Sequence, residues 1–140
     1  MESYDNAIFE VFHMVDPRIP KIINGLYLGD KEAIKDLKLL EELKIKRIIR
    51  VGSERSINFH DIFLYMNIDI VDGDDENIHV YFRKSFEFID GGLKRNQNVF
   101  VHCRFGISRS ATIIYSYLIQ KYKWNFEEVD KFVTSKKVYR

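Results

Sequence analysis

Hydrophobic and polar positions follow two different periods along this chain, and the periods alternate. An Asn24-Gly25 turn precedes a short apolar strand, Leu26-Tyr27-Leu28. Asp30 is placed to cap a helix over Lys31–Leu43, with Ala33, Leu37 and Leu40 as its inner stripe. Arg47–Val51 reads as a strand with Ile48, Ile49 and Val51 as its body, and the polar stretch Gly52–His60 has no clear period. Phe63–Val71 returns to strand character, and Asp72–Asn77 is an acidic loop. Phe82, Phe86, Ile89 and Leu93 mark a helix over Ile78–Leu93, whose end Gly91-Gly92 should weaken. Val99, Phe100 and Val101 then form a buried strand. After it, Ala111, Ile114, Tyr115, Leu118, Ile119 and Tyr122 give a long helical face. Asn125 and Glu128 have the spacing of a capping box, with Trp124 set to staple against Val129. Phe126, Val129, Phe132 and Val133 lie on one side of that last helix.

Strands alternating with helices predict an α/β domain, a central mainly parallel sheet flanked by helices. Ligands on such sheets bind at the carboxyl ends of strands. Cys103 and Asp72 each follow a strand, so both are expected at one cleft. Residues 1–20 read as a leader segment: Ile8, Phe9, Val11 and Phe12 can cover a core edge, and Pro17 and Pro20 break regular structure. Residues 21–140 form the single domain expected at this length.

Composition narrows the function classes. Lys and Arg number 22 against 21 Asp and Glu, a balance that argues against a nucleic-acid or membrane-surface protein. The one cysteine leaves no internal disulfide, which fits a reducing compartment. The acidic, polar start Met1–Asp5 is unlike a signal peptide, Glu2 excludes N-myristoylation, and no apolar run approaches membrane-spanning length. The expectation is a soluble cytoplasmic or nuclear domain. Oligomeric state is not readable.

The chemistry concentrates in Asn98–Ser110, a strand, a tight loop and a helix start. Such a loop aims backbone N–H groups inward and adds the positive end of a helix, so it suits an anion. A thiol placed there, Cys103, is expected to react as the thiolate. Gly106 permits a backbone turn forbidden to other residues. Arg109 offers a planar fork for two phosphate oxygens. Ser110 can donate to the sulfur, and His102 can support the loop. Cleaving a phosphate ester this way also needs an acid for the leaving oxygen, and the acidic loop supplies candidates.

His102-Cys103 with Arg109-Ser110 six and seven positions on from the cysteine, after a Val-Phe-Val strand, resembles the signature loop of the cysteine-dependent protein tyrosine phosphatases. The full run Cys103–Ser110 is similar to their dual-specificity branch, as are Gly25–Gly29 and the Phe82–Asp90 helix. The resemblance covers about Ile22 to Val133. It implies a protein tyrosine phosphatase-like fold acting on phosphotyrosine and on phosphoserine/phosphothreonine, with a phosphoprotein as partner and no metal or other cofactor. It implies Cys103 as nucleophile, Arg109 as phosphate clamp, Ser110 as donor to the sulfur, and Arg104, Phe105, Gly106, Ile107, Ser108 and Arg109 as the phosphate cradle. It implies an aspartate acid in the loop before the preceding helix. Asp72, 31 positions before Cys103 and followed by Asn77-Ile78, matches, with Asp74 and Asp75 as rivals. Two departures stand out. Arg50 occupies a position where the branch usually has Asn. The family's proline-containing turn and final helix are absent before Arg140, so a C-terminal helix shortened or missing is expected.

Other readings compete. Calcium binding fails on spacing, since a loop begun at Asp72 has Asn77 where an EF-hand needs Gly and Arg83 where it needs Glu. One Cys and four scattered His make no zinc site. An RNA 5′-triphosphatase or a phosphoinositide or phosphoglucan phosphatase would keep the chemistry and change the substrate. The loop lacks a lysine-rich tract for lipid headgroups, and the chain lacks an RNA track. A phosphoprotein-binding module with weak catalysis is the alternative outside the enzymes, and burst kinetics separates it.

Overall fold

The computed structural model describes residues 19–30, 32–52, 62–70, 75–103 and 108–136. The Asn24-Gly25 turn joins two strands rather than merely preceding one. β1 (Lys21–Ile23) folds back antiparallel on β2 (Leu26–Gly29). Gly25 has φ +86°, a conformation that favours glycine. β3 (Ile45–Val51), β4 (Leu64–Ile68) and β5 (Asn98–Cys103) complete a sheet of order β1–β2–β5–β3–β4. The β2–β5, β5–β3 and β3–β4 pairs are all parallel.

The helix expected over Lys31–Leu43 is broken in two. Asp30 does cap a first turn, its Oδ1 accepting from the Glu32 and Ala33 amides at 2.9 and 3.2 Å. That turn, Ala33–Lys35, is a 3₁₀ helix. Asp36 then accepts from the Leu39 amide at 3.0 Å and starts α1 (Leu37–Glu42) afresh. A carboxylate at mid-pattern competed with the helix and became a second cap. The next helix also differs at its start: Asp75–Tyr81 is 3₁₀, and α2 runs Phe82–Lys94. The helix runs through Gly91-Gly92 and ends at Lys94. A Cβ on Gly92 would meet Arg47 Cδ at 2.8 Å, so the glycine lets the helix seat on β3.

α3 (Ser108–Tyr122) and α4 (Phe126–Lys136) follow. The α4 cap is the reciprocal box expected. The Asn125 amide donates to Glu128 Oε1 at 2.8 Å, and the Glu128 amide donates to Asn125 Oδ1 at 2.9 Å. Trp124 packs against Phe132 with ring centroids 5.2 Å apart. Among the described residues α4 is the last helix.

The buried face of α3 is rotated from the expected stripe. Ile113, Ile114, Tyr117 and Leu118 are buried, while Tyr122 is 42% exposed. α3 packs on the sheet, on α2 and on α4, so apolar residues are covered on several sides. Phe126, expected in the core, is 62% exposed and rests on Tyr115.

α2 and α3 are tied at Asp90. Tyr117 Oη donates to its Oδ1 at 2.8 Å, and the Lys94 and Lys121 ammonium groups lie 3.0 Å from its two oxygens. Burial alone would raise the Asp90 carboxyl, but the hydrogen bonds from Lys121, Lys94 and Tyr117 outweigh it and hold it at about 2.

The sheet separates two apolar clusters. The larger, toward α2, α3 and α4, includes Ile49, Val51, Val99, Val101, Cys103, Ile113 and Tyr117. The smaller, toward α1, includes Ile19, Ala33, Ile34, Leu40, Ile48 and Phe100.

Candidate active site

β5 delivers its chemistry at its last two residues, and strand alternation sends them to opposite faces. Cys103 joins Val99 and Val101 in the larger cluster. Its Sγ lies 3.4 Å from Ser110 Oγ, and either atom can be the donor. Ser110 is fully buried in the first turn of α3, and Arg109 beside it is half-buried. The positive dipole end of a long helix therefore lies beside the thiol.

Cys103 and Ser110 are thus brought together, with Arg109 on the same turn. Arg104, Phe105, Gly106 and Ile107 lie outside the described residues, as do Asp72 and Asp74 and the side chains of Asp75 and Ser108.

On the opposite face the carboxyl ends of four strands line up a row. Gly29 of β2 pairs with His102 of β5, His102 with Arg50 of β3, and Arg50 with Asn67 of β4. Arg50 is 3% exposed. Its Nε donates to Asn67 Oδ1 at 2.8 Å, and its guanidinium carbon sits 4.3 Å from the Tyr65 ring centroid. His102 is 7% exposed and stacks on Phe100 at 5.3 Å. Neither of its ring nitrogens has a hydrogen-bond partner among the described residues. Burial, and then the Arg50 charge, lower His102 to about 4. The imidazole is therefore neutral at neutral pH.

In the sequence Arg50 stands out as a departure from the branch's Asn that brings another charge near the site. The available signal was its setting: a charge inside Ile48-Ile49-Arg50-Val51, an apolar run of the kind covered on both faces. Asp90 gave no such signal, because Tyr117 and Lys121 reach it from another helix.

A family model described as the dual specificity phosphatase catalytic domain matches residues 26–139. The chain belongs to the dual-specificity phosphatase family. Dual specificity protein phosphatase 1 of Arabidopsis thaliana is 33% identical over 123 residues, which cover 87% of this chain and 62% of that protein. A protein phosphatase Slingshot homolog of Xenopus laevis is 29% identical over 136 residues, 97% of this chain and 20% of that protein. The chain therefore spans less than two thirds of the length of these relatives. Among solved structures, the human tyrosine phosphatase-like serine/threonine/tyrosine-interacting protein matches with a TM-score of 0.81 at 29% identity, covering 87% of this chain and 85% of that one. The α/β frame and mainly parallel sheet of this dual-specificity phosphatase domain agree with the architecture expected from the sequence. Among the described residues no helix is long and apolar enough to cross a membrane.

Proposed function

We propose that this domain hydrolyses phosphotyrosine and phosphoserine/phosphothreonine in proteins through a phosphocysteine at Cys103. The observation that carries the reading is the 3.4 Å approach of Cys103 Sγ to Ser110 Oγ at the opening of α3, in a chain of this family. The thiolate attacks phosphorus in line. The S–P bond forms as the ester P–O bond breaks, and Asp72 gives its proton to the leaving oxygen. Arg109 and the amides of residues 104–109 take up the equatorial oxygens. Water then attacks phosphorus, Asp72 accepts its proton, and the S–P electron pair returns to sulfur. Ser110 donates to the sulfur as it leaves.

Rates on phosphotyrosine and phosphothreonine peptides, triphosphate-ended RNA and phosphoinositides test the substrate class. Turnover of both peptides above the other two is expected, and preference for RNA or lipid overturns the protein reading. A second reading draws on similarity to a protein named as phosphatase-like and interacting. In that case phosphopeptides bind but no phosphoenzyme burst appears.

A further inference from the structure

The Gly29–His102–Arg50–Asn67 row does nothing in the mechanism above, yet it is built around the residue bonded to the nucleophile. The layer beneath it, Tyr27, Phe100, Ile48 and Tyr65, is apolar or aromatic and belongs with the smaller cluster. A guanidinium between those strands is costly to bury, and here it is held by an amide on one side and a ring below. The histidine beside it is buried with neither ring nitrogen hydrogen-bonded among the described residues. An unanswered buried polar group of this kind calls for an explanation beyond packing.

We propose that Arg50 is a positioning residue for the reaction at Cys103: it carries the permanent charge of this row and fixes the His102 ring, and with it the end of β5, in one arrangement. The inference rests on the phosphatase reading for its effect on turnover, but not for the Arg50–His102 pairing itself. Arg stays charged at every working pH, whereas an imidazole at that position would ordinarily change charge near neutrality. Buried, and with Arg50 as its neighbour, His102 stays uncharged, and the electrostatics behind the thiol do not vary with pH across the neutral range. β4 brings Tyr65 and Asn67 to this face, and the α1 side brings Ala33, Ile34, Leu37 and Leu40. Asp30, next after Gly29, has its Oδ1 engaged by the Glu32 and Ala33 amides.

The test is a histidine-labelled NMR titration of the whole chain, with the His102 signal assigned by its loss in His102→Gln. It is run on the wild type, Arg50→Gln and Arg50→Lys, alongside kcat and KM against pH on an aryl phosphate. In the wild type His102 does not titrate between about pH 8 and pH 5. Arg50→Gln moves its midpoint upward and lowers kcat on the order of tenfold, more than it changes KM. That deficit varies with pH below neutrality. Arg50→Lys keeps the low midpoint and a flat ratio to wild type. A wild-type His102 that titrates near its ordinary 6.5 overturns the proposal, even if Arg50→Gln does not fold. So does an Arg50→Gln deficit that is constant with pH while the His102 midpoint stays put, which marks packing alone. An inactive wild type with His102 behaving as expected overturns the phosphatase reading and leaves the pairing standing.

Discussion

Two buried polar clusters lie on opposite faces of the same sheet, and they are built differently. At Asp90 both carboxylate oxygens are engaged, by Tyr117, Lys94 and Lys121. At the end of β5, Arg50 is held by Asn67 and Tyr65, while His102 beside it keeps both nitrogens without a hydrogen-bond partner among the described residues. The first cluster joins α2 to α3 and is remote in sequence from Cys103. The second sits one residue before it. A satisfied buried charge ties elements together, while a buried polar group without a partner among the described residues costs stability.

Asp72→Ala should slow turnover by roughly 10²–10⁴ while the fold stays intact. Steady-state rates on an alkyl phosphate, paired with a thermal melt, check both halves. If Asp74→Ala or Asp75→Ala carries that loss instead, the acid is one of the rivals. Ser110→Ala should act later, on breakdown of the phosphoenzyme. An initial burst is retained and the following steady rate drops about tenfold, seen by stopped flow with an aryl phosphate.

Stability separates the clusters next. Asp90→Ala should cost about 1–3 kcal/mol, because it leaves the Tyr117 hydroxyl buried without its acceptor. Activity per folded molecule should not change. The two clusters also predict different acid windows. His102 is lowered to about 4 from 6.5, so the unfolded chain takes up a proton that the folded chain refuses, and stability falls as pH drops from 6.5 toward 4. Asp90 is lowered to about 2 from 3.8, so its contribution is complete above 3.8 and fades as pH falls through about 2. Denaturant midpoints against pH should lose the upper window in His102→Gln and the lower one in Asp90→Asn. The smallest expected effect is outside both clusters: Asn125→Ala removes one half of the α4 capping box, for about 1 kcal/mol.

How much of this was legible in the sequence depends on distance along the chain. The Asn125–Glu128 box could be read directly, because both partners lie within one helical turn. The Val99–Val101 strand was readable as a continuous apolar run, and the helix after the loop from its period. β1 was not, since three residues carry no period. Asp36 was hidden inside a good helical stripe, and only its capping geometry shows that the helix restarts there. Gly91-Gly92 read as weakness because the Arg47 side chain they accommodate comes from another strand. At the site, the spacing of Cys103, Arg109 and Ser110 is plain in the sequence, and the structure brings Cys103 and Ser110 together. The burial of Arg50 needed the register that sets it beside His102.

In the proposed reaction phosphate passes through Cys103. Acid-quenched protein, mixed for milliseconds with an aryl phosphate and digested for mass spectrometry, should carry phosphate on the peptide containing Cys103. Cys103→Ser should carry none and should not turn over, while still binding phosphate. A phosphate adduct on another residue, or near-native turnover by Cys103→Ser, would contradict it.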